Sequence, residues 1–412
     1  MRIITATAFS VVAVLAWRTA SSSAHDPITT KVTFNKEIAR ILQRSCWGCH
    51  APGQIKSDIS LTTYEEARPW AKAIKEEVLE RRMPPYQAVK GYGVFKHDYL
   101  LPQRDIEIIV SWVEGGAPRG NVNDYPKPKD IWMLGKPDVI LQPELEAEIT
   151  KQEEIRCYSL PTNFTEDRWV NAFDFVPGNA AIVYRAAFSL ETPTNKTACD
   201  INAVNAETLG SWQPNQAPLE FPHDTARRLP ADAHIKLIVH YRQANEADKQ
   251  TDRSQLGLYF AHTPQPKALR NVWLKPLATT LPVSDKPVRV TATQTMMAAT
   301  EAVAIRPLLF PYGDSLQATA YYPDGASAVL LLVKDFRFAW QPLYVFRQPV
   351  TLPKGTRLEV TTYLNNSEDN PRNPHDPAQK ITFAEPVCEL LTTVTAPSVG
   401  QKQQAVSESA KR

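Results

Sequence analysis

Glycine is scarce in this chain, with 15 residues against 34 prolines in 412. Proline fixes φ and cannot donate to a β-ladder, so this excess favours edge strands, loops and linkers over long helices. Net charge is nearly absent too, because 46 basic and 44 acidic residues leave a formal +2. With no strong basic run either, nothing in the charge pattern argues for nucleic acid or DNA as a partner. Long apolar runs are missing after the first residues. Ile3 to Trp17 is apolar but short for a membrane span. Arg2 precedes it and Ser22-Ser23-Ala24 follows, so residues 1–24 read as a secretory signal peptide. A periplasmic or otherwise extracytoplasmic location follows. No cysteine follows the cleavage point directly, which leaves lipid anchoring without a signal.

What the chain does have is enough apolar material for real cores: 43% hydrophobic residues over a length that suits two or three domains. Residues 30–122 read as helical. Phe34, Ile38, Ile41 and Leu42 fall at helical spacing, as do Trp70, Ile74, Val78 and Leu79 within a stretch from Tyr64 to Arg82. A third stripe, Ile106, Ile109, Val110 and Val113, runs from Asp105 to a stop at Gly115-Gly116. Residues 123–137 are rich in Pro, Lys and Asp and read as a linker. Beyond them the pattern changes to short β-branched or aromatic runs, such as His234–Tyr241, Ser254–Phe260, Ala328–Val333 and Arg357–Tyr363. Pro323-Asp324-Gly325 and Pro353-Lys354-Gly355 are turn signals between such runs. Two β-sandwiches are expected, over 138–270 and 271–395, followed by a disordered tail over 396–412.

Only five cysteines are present. Two of them stand in Cys46-Trp47-Gly48-Cys49-His50, the C-x-x-C-H pattern of c-type haem attachment. One turn presents two thiols to the two vinyl groups of the macrocycle, and the next residue places an imidazole under the iron. A zinc site would need a second Cys/His pair at similar spacing, and the sequence has none. Met83, in Arg82-Met83-Pro84-Pro85, is the only internal methionine of the helical region and the candidate sixth ligand. His97 is a rival in a polar setting. Met/His ligation raises the reduction potential and suits an electron carrier. In an exported protein the remaining cysteines allow one disulfide, and Cys157 with Cys199 is the preferred pair, leaving Cys388. His223, His234, His240 and His262 read as strand and loop histidines bonded to neighbours. Trp340, Tyr344, Phe346, Trp212 and Phe221 read as sandwich core.

Further motifs carry a resemblance. They include Cys46 to His50 followed by Ala51-Pro52-Gly53, Met83-Pro84-Pro85, Pro177-Gly178-Asn179, His240-Tyr241, Pro323-Asp324-Gly325 and Leu352-Pro353-Lys354-Gly355-Thr356. Together they span nearly the whole mature chain. The chain resembles bacterial fusions of a cytochrome c module to a copper type II, ascorbate-dependent monooxygenase of the peptidylglycine hydroxylating kind. The resemblance implies an α + β multidomain chain: an N-terminal all-α class I cytochrome c domain, then two all-β jelly-roll-like sandwiches with one copper each. The copper ligands, however, are mostly missing. A His-His pair expected after Pro177-Gly178-Asn179 is replaced by Tyr184 and Arg185, while His240 keeps its place. Leu308 and Phe310 stand for a His-x-His pair, and Val387 for a methionine. These side chains cannot supply the imidazole and thioether donors copper needs, so copper is not expected.

The expectation is therefore one covalent haem c on Cys46, Cys49 and His50 with Met83 as second axial ligand, and no catalytic residues. His240 remains as a residual copper-ligand position. The protein reads as a one-electron carrier or redox-complex subunit rather than an independent monooxygenase, with the sandwiches as docking or assembly module. Its partner would be a redox protein or a membrane electron-transfer complex, with membrane association through that partner. The alternatives are a haem-fed copper monooxygenase hydroxylating a C–H bond, and a structural or binding subunit with a peripheral haem.

Overall fold

The computed structural model describes residues 30–97, 99–192, 199–200, 207–243, 249–338 and 340–394. The expected signal peptide, 1–24, and the expected tail, 396–412, lie outside the described residues. The chain is mainly β, with 38% of it in strands.

The expected strands form where alternation places apolar side chains on one face. His234–Arg242, Gln255–Phe260, Ser327–Val333 and Arg357–Leu364 are all strands. In the first half, Glu153–Pro161, His234–Arg242, Val183–Leu190 and Thr208–Trp212 make a four-stranded antiparallel sheet. In the second half, Val288–Thr295, Arg357–Leu364, Gly313–Tyr321 and Ser327–Val333 make another. Both pack against one long sheet that runs through the molecule. Its first-half strands include Gln255–Phe260, Arg168–Val176 and Thr225–Leu229; its second-half strands are Lys267–Leu274, Cys388–Thr393, Thr300–Pro307 and Tyr344–Leu352. The halves meet at a short parallel pairing of Thr225 and Ala226 with Lys267 and Ala268. Each sandwich has its own apolar core, one centred on residues such as Phe173, Leu237 and Leu256, the other on Leu316, Leu331 and Val360. The Cys157–Cys199 disulfide is formed, with a Cα–Cα separation of 5.9 Å.

The expected all-α class I cytochrome c domain is not what the N-terminal part forms. Its α-helices are Ala39–Ser45, Tyr64–Ala67, Ala71–Leu79 and Gln103–Glu114, and the longest has 12 residues. The continuous helix expected from Tyr64 to Arg82 is broken by a 3₁₀ turn over Arg68–Trp70, because Pro69 brings no backbone N–H. A capping box of Thr63 and Glu66 starts its first piece. Between Arg82 and Pro102 there is no helix among the described residues, and Pro84, Pro85, Gly91 and Gly93 explain why. This stretch is bound to the second sandwich instead. Ala88 bridges Val333 on one sheet, and Phe95 bridges Phe346 on the other. Lys96 N donates to Val345 O at 2.7 Å, and Arg347 N donates to Val94 O at 2.8 Å. It therefore covers the edge strands of both sheets, which would otherwise expose unpaired backbone groups. Gly93 lets it lie flat, with a φ of +81° and no room for a Cβ, which would sit 2.4 Å from Leu330 O. A small helical core of Phe34, Ile38, Leu42, Ile74, Ile109 and Trp112 holds the rest together.

Candidate functional site

The helix Ala39–Ser45 hands over to the C-x-x-C-H segment with Cys46 N donating to Leu42 O at 2.7 Å. Cys49 N and His50 N then both donate to Cys46 O, at 3.0 and 2.9 Å. The two thiols and the imidazole thus belong to one tight turn. The imidazole is oriented from behind. His50 Nδ1 lies 3.1 Å from the carbonyl of Ile59 and donates to it, which leaves Nε2 as the ring's lone-pair nitrogen. Burial holds the His50 pKa below its ordinary value, against the opposing pull of its bond to Ile59. Trp47 Nε1 donates to Leu61 O at 2.9 Å, and Leu61 N donates to His50 O at 3.0 Å, closing the loop that returns to the turn.

Cys46 and Cys49 are free and are not joined to each other. Burial pushes the Cys46 thiol up to about 12 and the Cys49 thiol up to about 11. Cys46, Trp47 and Ile59 pack on the helical core and give the turn an apolar flank. Cys46 and Cys49 would be the residues to hold a hydrophobic macrocycle through thioethers, and His50 Nε2 the nitrogen left to ligate its iron.

Met83 lies just beyond the helix Ala71–Leu79, with its N donating to Glu77 O at 3.3 Å. Its side chain is 39% exposed. His97, the rival, is on the stretch that covers the sandwich edges. It lines a small pocket with Tyr99, Gln216 and Tyr344, against β-structure.

The resemblance-derived copper positions divide. His240 pairs with Arg185 in the sheet, and its Nε2 is 2.9 Å from Glu153 Oε1. Tyr184 packs edge-on to the His240 ring and carries the Arg242 guanidinium over its face at 4.2 Å. Val387 is fully buried in the second core. Arg185, Leu308 and Phe310, from different sandwiches, line one cavity of about 470 Å³ between them. Among the described residues, no three His, Cys, Asp or Glu side chains gather as a metal-holding group.

Sequence reasoning missed the tie between the C-x-x-C-H turn and the first sandwich. Asn215 Nδ2 donates to Ser45 O at 3.1 Å, and Gly48 lies so close that an added Cβ would meet Asn215 Oδ1 at 2.5 Å. It also missed a buried ion pair at the cavity, where Arg306 Nε donates to Glu389 at 2.7 Å. Neither leaves a periodic or motif signal.

No protein-family model matches the chain, and no curated protein does. Solved structures with some likeness include a subviral particle of infectious bursal disease virus VP2, with 8% identity over 65% of this chain and 74% of that one, and a TM-score of 0.18. Another is PBCV-1 VP54 fitted into a reconstruction of the virophage Sputnik, with 10% identity, 60% and 93% coverage, and a TM-score of 0.23. A mutant of Bacillus subtilis oxalate decarboxylase has 8% identity, 65% and 79% coverage, and a TM-score of 0.15. TM-scores this low establish no shared fold, so the chemistry of the C-x-x-C-H turn stands on its own residues.

Proposed function

We propose that Cys46 and Cys49 hold one haem through thioethers, that His50 Nε2 ligates its iron, and that the protein passes single electrons outside the cytoplasm. The observation that carries this reading is the turn itself. Two unpaired thiols stand beside an imidazole whose Nδ1 is committed to Ile59 O. A haem bound there supplies a reversible one-electron couple. The protein's part is to orient His50 and to shield one flank with Trp47 and Ile59. Met83 is the proposed second axial ligand. The sandwiches serve as the docking or assembly module toward a redox protein or a membrane electron-transfer complex, and His240 is engaged by Glu153.

The test is the full-length protein matured in a periplasm competent for haem attachment. Haem that stays with the chain after denaturation, at one iron per chain, is the expected result. Cys46→Ser with Cys49→Ser should abolish retention. Met83→Leu should keep the covalent haem but lose the weak charge-transfer band of methionine-ligated ferric haem. A chain that matures without covalent haem overturns the reading. Stoichiometric copper with substrate hydroxylation would replace electron carriage by monooxygenation.

A further inference from the structure

The charged groups that line the cavity between the sandwiches are answered by the chain or by water. Arg306 places Nε and Nη2 on Glu389 and donates from Nη1 to Ser211 Oγ at 2.7 Å. Arg185 has the opposite charge of Asp200 acting on it, and both line the cavity. Glu385, on the same lining, is exposed to solvent. The interior therefore holds no charge that waits for an ion from outside.

What remains open is a neutral donor. Gln213 lines the cavity and is 3% exposed. Its Oε1 accepts from Gln341 N at 2.9 Å, and that bond fixes which end of the amide is nitrogen. Its Nε2 is buried and has no hydrogen-bond partner. A buried amide N–H without an acceptor is costly, so one at a cavity calls for an acceptor carried by a ligand. The volume of about 470 Å³ is in the range of small-molecule sites. Trp212, Leu308, Phe310 and Phe338 line it and are only half-buried. Trp212 rests on Phe175 with ring centroids 5.0 Å apart, and Phe310 on Phe383 at 5.7 Å. Even so, both keep surface that the cores do not cover.

We propose that this cavity binds a small uncharged aromatic carbonyl compound, its carbonyl oxygen accepting from Gln213 Nε2 and its ring body against Trp212, Phe310 and Phe338. A carbonyl oxygen satisfies Gln213 and brings no proton of its own that the apolar walls would strand. A rigid ring body gives up little conformational freedom on entering. A carboxylate would need a cation, and Arg185 and Arg306 are already engaged.

The experiment is calorimetric titration of the full-length protein with coumarin, indole and 2-naphthoate. Coumarin is flat, neutral and accepts through its carbonyl. Indole is flat and neutral but donates, and 2-naphthoate is flat and anionic. Saturable one-to-one binding of coumarin, about tenfold tighter than either of the others, is expected. Gln213→Glu keeps the acceptor for Gln341 N and removes the amide donor, so it should weaken coumarin about fivefold and spare indole. Ala187→Leu adds bulk to the lining and should weaken coumarin and indole alike, about tenfold. If Gln213→Glu does not fold, the ratio of coumarin to indole and the Ala187 variant decide. The proposal is overturned by no saturable binding of coumarin, by indole or 2-naphthoate binding as tightly, or by a folded Gln213 or Ala187 variant that binds coumarin like the parent.

Discussion

Asn215 Nδ2 donates to the carbonyl of Ser45 at 3.1 Å, one residue before Cys46. The loop that follows strand Thr208–Trp212 therefore holds the turn that carries the two thiols. The same loop supplies Gln213 to the cavity between the sandwiches. The C-x-x-C-H turn is anchored to β-structure on this side, and the 84–97 stretch anchors the helical part on another.

The Gly48 contact makes the first prediction. An added Cβ would lie 2.5 Å from Asn215 Oδ1 and 2.8 Å from Asn215 Cα. The Cα cannot swing away as a side-chain tip can. Gly48→Ala should lower stability by about 1–3 kcal/mol, read as a shift in urea midpoint with unchanged slope. An unshifted midpoint would show that the sandwich does not press on the turn.

The second prediction concerns Glu389, which is 3% exposed and pairs with Arg306. Removing one partner of a buried pair leaves an uncompensated charge. Glu389→Ala should cost about 3–5 kcal/mol in the same assay. Arg306→Met combined with Glu389→Leu should recover most of that loss. Failure of the double variant to recover it would mean that the pair holds more than its own charges.

The third prediction is a pH dependence. Burial raises the Asp174 carboxyl to about 6, although Met133 N donates to it at 3.0 Å. The folded state thus binds the proton more tightly than the unfolded chain does. Between the usual aspartate range and pH 6 the native state carries more protons, so stability falls as pH rises. The contribution is full below about pH 4 and is lost by the time pH passes about 6. Asp174→Asn keeps an acceptor for Met133 N and removes the titration, so it should flatten this slope by roughly 1–3 kcal/mol. Parallel stability curves for parent and variant from pH 4 to 7 would refute it.

Local chemistry was legible in the sequence. Alternation in His234–Tyr241 and Arg357–Tyr363 marked strands because one face of each must be apolar. The C-x-x-C-H spacing marked the turn because three donors on five residues need no tertiary information to be brought together. The cysteine count left room for one disulfide among Cys157, Cys199 and Cys388, and the fold joins the preferred pair, Cys157 and Cys199. The helical reading failed where apolar spacing ignored proline. Pro69 splits one helix, and Pro84 and Pro85 open a stretch whose backbone groups are satisfied by the second sandwich. Glycine 48 looked like a spacer inside a motif, but its missing Cβ is the room Asn215 occupies.

The sequence by itself determined the C-x-x-C-H turn and the strand-rich second part, since both depend on residue identity and short-range spacing. Only the tertiary structure decided that Arg185, Leu308 and Phe310 share a cavity while His240 turns to Glu153. It alone ran one sheet through both sandwiches by way of Thr225–Ala226 and Lys267–Ala268, and seated the turn at Cys46 on Asn215. The physical reason is range. Pairing across 42 residues at the sheet junction, or 170 between Ser45 and Asn215, depends on which surfaces bury each other, and no local period records that.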